Sequence, residues 1–255
     1  MSRLFEAGER VLLVDAKARR YLVTLVEGAE FHTHAGVTPH DAIIGQVEGT
    51  TVRSGSGARY TVVRPTLADF VLKMPRGAQV VYPKDLGPLL MLADVFRGAR
   101  VFESGVGSGA VSMTLLRAGA HVVGYELRAD FAARAQKNVR AFLGADVPYT
   151  VEERSAYEGI DEADLDRVVL DLPEPWRVVK HAEAALRPGG ILVAYVPTVG
   201  QVAQLRETLA TSAFAMAETI EVLQRTWHVQ GQSVRPDHRM VGHTGFLTHA
   251  RLLGG

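Results

Sequence analysis

Apolar positions change their rhythm along the chain near residue 85. From Arg10 to about Arg64 they come in short β-branched runs: RVLLVD (10–15), RYLVTLV (20–26), AIIGQ (42–46) and ARYTVVRP (58–65). Turn formers separate them, most densely in EGTTVRSGSGARY (48–60). Short strands punctuated by glycine predict a small β domain over residues 1–64. Pro65 then opens PTLADFVLKM, where Leu67, Phe70, Val71 and Met74 share one helical face. A helical linker is therefore expected over 65–84. After Asp85 strand and helix alternate. Strands are expected at ARVFES (99–104), HVVGYE (121–126), PYTVEE (148–153), DRVVLD (166–171) and GILVAYV (190–196). Helices fill 108–117, 128–142, 175–186 and 199–211. Such alternation predicts an α/β domain with a doubly wound parallel sheet over 85–255.

Composition narrows the function classes. With 255 residues, 47% hydrophobic and 22% charged, the chain is of globular type and long enough for an ample core. Lys and Arg number 28 against 28 Asp and Glu. Wrapping nucleic acid by bulk charge is thereby excluded, so a nucleic-acid partner needs a local basic patch or one assembled between subunits. The absence of cysteine excludes disulfides, thiolate metal sites and a cysteine nucleophile. MSRLFEAGER lacks the apolar stretch of a signal peptide, and no segment approaches the ~18 apolar residues of a membrane span. The expected location is the cytoplasm, with no membrane partner.

The run Glu103-Ser104-Gly105-Val106-Gly107-Ser108-Gly109 follows an apolar strand and enters a helix. Glycines at alternate positions let the backbone turn and approach a ligand closely. The G-x-G-x-G spacing is one residue short of the dinucleotide fingerprint that seats a pyrophosphate, which disfavours an NAD-linked dehydrogenase. Glu103 ahead of the loop suits a cationic ligand without phosphate. Glu126 ends the second strand, 21 residues after Gly105, where a carboxylate accepts from two ribose hydroxyls. Loop and acid together fit S-adenosylmethionine. Asp171 ends the fourth strand in DLPEPW and has two readings from pattern alone. It faces the ligand crevice beyond the carboxyl ends of the strands, or it caps the helix that Pro175 begins.

The whole chain resembles the tRNA (adenine-N1) methyltransferases that modify the T-loop adenine at tRNA position 58, particularly their bacterial branch. The likeness runs through FHTHAG (31–36), PHDAIIGQVEG (39–49), RPTLADFVLKMPRGAQVVYPKD (64–85), ESGVGSG (103–109) and GYELRADFAARAQKN (124–138). It continues in LDLPEPW (170–176) and VRPDHRMVGHTGFL (234–247). YPKD, DLPEPW and GHTGFL are specific to that family rather than shared by all methyltransferases. The resemblance implies a class I methyltransferase domain of Rossmann-like build, a small N-terminal β domain and a homotetramer. It also implies S-adenosylmethionine as methyl donor, tRNA as substrate and no metal. Carried over by position, Gly105, Gly107 and Ser108 would lie against the methionine part of the donor and Glu126 would hold the ribose, with Glu103, Gly109, Ser155 and Asp171 completing the expected donor-binding set. Asp171 looks like the family's catalytic carboxylate, and Tyr82 of YPKD like the aromatic that guards the base pocket.

Three positions depart from the family pattern. Val106 stands where Thr is usual, and Ser104 where a small apolar residue or Pro is usual. In EERSAYEG the third strand lacks the Gly-Asp pair whose acid reaches the donor adenine, leaving Ser155 as the substitute. Other residues invite attention and carry less. His32, His34 and His40 lack the accompanying ligands of a metal site and are read as structural or interface residues. His238 and His243 are read as shaping a turn, Trp176 and Trp227 as core packing. The cluster Lys17, Arg19 and Arg20 is explained equally by tRNA contact and by a solvated turn. Adenine N1 carries a lone pair and no proton, so the implied reaction is direct displacement of the sulfonium methyl. The alternatives are methylation of another target, such as adenine 57 as well, and a non-catalytic RNA-binding subunit.

Overall fold

The computed structural model describes residues 3–77 and 79–254. The chain divides into two compact units, one ending at Pro75 and the other beginning at Arg76. In the first, β1 (Arg10–Asp15), β2 (Arg20–Thr24), β5 (Thr51–Arg53) and β6 (Arg59–Val63) form an antiparallel sheet in the order β2-β1-β6-β5. A separate hairpin joins β3 (Glu30–Thr33) to β4 (Gly36–Pro39). Val11, Leu13, Val52, Tyr60 and Val62 point to one core with Phe5, Leu25 and Ile43. Helix α1 (Leu67–Lys73) belongs to this unit. It starts at a capping box in which Thr66 and Asp69 satisfy each other's backbone, and Arg20 pairs with Asp69.

The expected strand at 42–46 is absent. A 3-10 turn, His40–Ala42, leads into it, and the amides of Ile43 and Ile44 both bond the His40 carbonyl. With their donors used locally, these residues enter no ladder, while Ile43 still reaches the core. Their apolar pair marks burial rather than extension.

The second unit holds a seven-stranded sheet and the remaining helices. Its strands are β7 (Arg100–Ser104), β8 (His121–Tyr125), β9 (Tyr149–Glu152), β10 (Leu165–Leu170), β11 (Leu186–Val196), β12 (Phe214–Glu221) and, after a small hairpin, β15 (Phe246–Leu252). The hairpin is β13 (Trp227–Gln230) with β14 (Ser233–Pro236). The order is β12-β15-β11-β10-β7-β8-β9. Strands β7 to β11 run parallel, and β15 and β12 close one edge antiparallel.

Helices α3 (Ala110–Arg117), α4 (Ala129–Leu143), α5 (Val179–Ala185) and α6 (Val199–Ala210) lie close to the expected ranges. The segment from Pro175 is first a 3-10 turn, Pro175–Val178, and then α5. Helix α2 (Pro83–Leu92) follows Tyr82, with Pro83 at the position where a missing amide costs nothing. The FAMAETIE run (214–221), where the pattern sets no element, is β12, its extended state fixed by pairing with β15. A bulge between Ala215 and Glu218 takes Met216 to a positive φ. Among the described residues no helix is long and apolar enough to cross a membrane.

Candidate functional site

Strands β7 and β10 are neighbours at the point where the strand order reverses. Ligand crevices of open α/β sheets open there, beyond the carboxyl ends. Gly105 follows β7 and Asp171 follows β10, and the Asp171 amide donates to the Ser104 carbonyl at 2.9 Å. Gly105 has φ +85°, and a Cβ placed on it would lie 2.0 Å from the Asp171 carbonyl oxygen. Only glycine lets the two strand ends meet this closely. Gly107 and Gly109 also have positive φ, and Gly109 is the N-cap of α3.

Glu126 ties the second strand to that loop. Its Oε2 accepts the Gly107 amide at 2.9 Å and its Oε1 the Arg128 amide at 3.0 Å. Each oxygen keeps a lone pair for a ligand hydroxyl. Beside it opens a cavity of about 250 Å³ whose walls include Tyr125, Glu126, Leu127, Ser155, Ala156 and Leu172. Its mostly apolar walls with a carboxylate at one side suit a nucleoside. Ser155 Oγ accepts the Tyr157 amide at 3.3 Å, and Arg154 lies over the Tyr125 ring while pairing with Asp161.

Three carboxyls converge behind the loop. Glu103 is fully buried in β7, with Ser112 as its nearby polar neighbour. Burial pushes it up to about 8, nearby Ser112 opposes this, and the charges of Asp171 and Glu126 add to it. Burial likewise raises Asp171 to about 7, with Glu126 adding. Such a trio is short of positive charge, so a cationic ligand relieves it. Ser108 is buried, and its hydroxyl is without a partner among the described residues. The Ser108 carbonyl accepts from the Asn138 side chain at 3.0 Å.

The helix-cap reading of Asp171 does not describe the structure. Glu174 is the N-cap residue of the Pro175–Val178 turn, and no side chain caps it. Tyr82, half-buried, stands at the N-terminus of α2, and its field reaches Tyr195 at the end of β11. So do those of Asp171 and Asp85.

Of the discounted residues, His40 accepts the Val26 amide and is buried, His32 faces Glu30, and His34 sits in the β3–β4 turn. His243 bonds both Glu221 and the Pro197 carbonyl, holding two segments together. Arg19 and Arg20 are paired with Asp15 and Asp69. Trp176 packs against the core as expected. Trp227 does not: it is 58% exposed on the β13–β14 hairpin.

Comparison with known proteins adds the family. Residues 59–236 match the family described as tRNA methyltransferase complex GCD14 subunit, and residues 4–52 match the TrmI-like N-terminal family. The chain belongs to the first of these. It is 40% identical to the tRNA (adenine(58)-N(1))-methyltransferase TrmI of Thermus thermophilus, over 94% of this chain and 96% of that protein. A crystal structure described as a SAM-dependent O-methyltransferase from Thermotoga maritima superposes with a TM-score of 0.93 at 32% identity, covering 98% and 95% of the two chains. A tRNA (m1A58) methyltransferase TrmI from Aquifex aeolicus gives 0.88 at 27%, covering 99% and 100%. The fold is thus the class I methyltransferase fold with a small N-terminal β region. Within this family member, residues that pattern did not single out also reach the site: Tyr195, Thr244 and the Lys84–Asp85 pair. The motifs YPKD and GHTGFL, which hold Lys84, Asp85 and Thr244, were visible; their meeting was not, because α2, β11 and the loop before β15 are far apart in sequence.

Proposed function

We propose that the protein transfers a methyl group from S-adenosylmethionine to N1 of adenine 58 in the tRNA T-loop. The observation that carries this is Asp171, a carboxyl at the carboxyl edge of the sheet, hydrogen-bonded through its backbone to the glycine loop and free of any capping duty. Donor binding falls to Gly105, Gly107, Ser108 and Gly109 around the methionine part. Glu126 takes the ribose hydroxyls, Ser155 lies at the edge of the adenine cavity, and Glu103 supplies negative charge beneath.

The target base is extruded from its loop into the crevice. The N1 lone pair forms the new N–C bond as the S–C bond breaks; sulfur leaves as a neutral thioether, and positive charge passes to the adenine ring. Asp171 accepts from the N6 amino group, aligns the ring and stabilises that cation. Tyr82 guards the pocket that receives the base. Holding N1 in line behind the methyl carbon, at about 3 Å, supplies much of the rest. No proton transfer precedes attack and no covalent enzyme intermediate forms.

A formal net charge of zero favours an assembly in which several subunits line one tRNA groove. The acting unit is a homotetramer working in the cytoplasm. The test is incubation with bulk tRNA and donor labelled at the methyl, followed by nucleoside analysis. Label in 1-methyladenosine, mapped to position 58, is expected. Label in a 2′-O-methyl nucleoside, or none, would overturn the reading.

A further inference from the structure

Asp171 is followed by Leu172-Pro173-Glu174-Pro175, and hydrogen bonds from separate elements hold this short segment. At its start the Asp171 amide donates to the Ser104 carbonyl at the end of β7. The Gln201 side-chain amide, in the first turn of α6, donates to the Pro173 carbonyl at 2.8 Å. The Glu174 amide donates to the Tyr157 hydroxyl at 3.2 Å, in the segment after β9. Leu172 packs against the core between these anchors. Pro173 and Pro175 each fix their own φ, so few torsions are left free. Leu172, Pro173 and Tyr157 also share the wall of the cavity beside Glu126.

Gln201 has a second duty, at the N-terminal cap of α6. Its Oε1 accepts the Thr198 amide at 3.1 Å and the Thr198 hydroxyl at 2.7 Å, while Thr198 Oγ1 accepts the Gln201 amide at 3.3 Å. A capping box of this kind takes Glu or Gln, and a carboxylate would gain from the helix dipole as well. The cap therefore does not explain the amide. Only Gln carries N–H donors beside its acceptor oxygen, so one side chain can accept from Thr198 and donate to Pro173. The carbonyl two residues beyond Asp171 is what requires it. Attraction does not hold Asp171 in place, because the nearby charge of Glu126 repels its carboxylate. Its direction must come from the backbone.

We propose that Gln201 and Tyr157 are positioning residues for Asp171: by clamping the Pro173 carbonyl and the Glu174 amide they keep its carboxylate aimed at the amino group of the target base. The inference rests on the methyl-transfer reading given above and names residues that reading leaves out. Both act through the backbone of the segment rather than on the reacting atoms. Misplacing an aligning group by about 1 Å can cost up to about a hundredfold in rate, so tethers of ordinary strength are enough to matter.

The experiment is single-turnover methylation at saturating donor and tRNA, with donor affinity read by calorimetry and stability by thermal melting. Gln201→Glu keeps the capping box and loses the donor to Pro173. It should melt with the parent and bind donor within about twofold, yet turn over about five- to tenfold more slowly, the size of one neutral hydrogen bond. Gln201→Ala loses cap and clamp together. It should melt lower and slow by the same factor, so that turnover follows the clamp and not the stability. Tyr157→Phe keeps the ring beneath Arg177 and adds no charge, and it should also slow about five- to tenfold. If Gln201→Glu fails to fold, Tyr157→Phe decides the matter. Parental turnover in Gln201→Glu, with the parent active, overturns the clamp alone. So does a loss confined to Gln201→Glu with Tyr157→Phe at the parental rate, which would mark the added charge as its cause. No 1-methyladenosine formed by the parent overturns the methyl-transfer reading and the clamp with it.

Discussion

Glu126 Oε2 accepts the Gly107 amide at 2.9 Å, so the acid ending β8 and the glycine loop ending β7 are one hydrogen-bonded unit. The carboxylate shapes the loop as well as facing the cavity. Glu126→Ala should weaken donor binding by about ten- to a hundredfold, the loss of a charged acceptor, on the order of 1.5–3 kcal/mol. Glu126→Gln should lose nearly as much. Its amide has one acceptor oxygen, whereas both Glu126 oxygens receive backbone amides. Titration calorimetry with donor alone reads both; parental affinity in the Ala variant would remove Glu126 from the site.

Asp171→Asn separates charge from shape. Asn keeps an acceptor but removes the negative charge opposite the cationic ring, which should cost about 10²–10³ in turnover. Because burial already favours the uncharged form of Asp171, the Asn variant should melt at or above the parent's temperature at pH 8. Single-turnover assays and melting curves check the two halves. Full turnover would leave the catalytic carboxylate elsewhere.

Stability should fall as pH rises from about 5 to about 8. Asp171 at about 7 and Glu103 at about 8 lie above the ordinary carboxyl value, near 4. Across that interval the folded chain binds more protons than the unfolded one, so raising the pH removes stability. His243, raised by its bonds to Glu221 and the Pro197 carbonyl, acts in the same direction. Denaturant midpoints measured between pH 5 and 9 should slope downward, and Asp171→Asn should flatten the part near 7. A slope identical in the variant would mean that Asp171 does not titrate there.

Gly105→Ala should abolish donor binding and lower the melting temperature. Its φ of +85° disfavours any side chain, and the new methyl would meet the Asp171 carbonyl oxygen at 2.0 Å. Backbone on both sides leaves nothing to rotate away. Serine at the same place should fare no better. Calorimetry and thermal melting distinguish this from Gly107→Ala, where nothing lies closer than 3.8 Å and only the φ cost applies. Parental donor affinity in Gly105→Ala would contradict the contact between the two strand ends.

Much of this protein was legible in its sequence wherever a local rule acts alone. The alternation after Asp85, the glycine loop and Glu126 follow from periodicity and from residue types with one backbone use, and the parallel strands and α3 to α6 lie close to where the pattern sets them. Four things needed the tertiary structure. Ile43 and Ile44 look like strand, but their amides go to His40, because burial and hydrogen bonding are separate demands on the same residues. FAMAETIE carries no strand pattern of its own, and it is extended because β15 supplies a ladder at the sheet edge. Asp171 had two readings until Glu174 proved to be the uncapped N-cap residue. The meeting of Lys84 and Asp85 with Thr244 had no local signal, although both motifs that hold them could be read. They come from two segments far apart in sequence, and only the tertiary packing decides which hydroxyl meets which carboxylate.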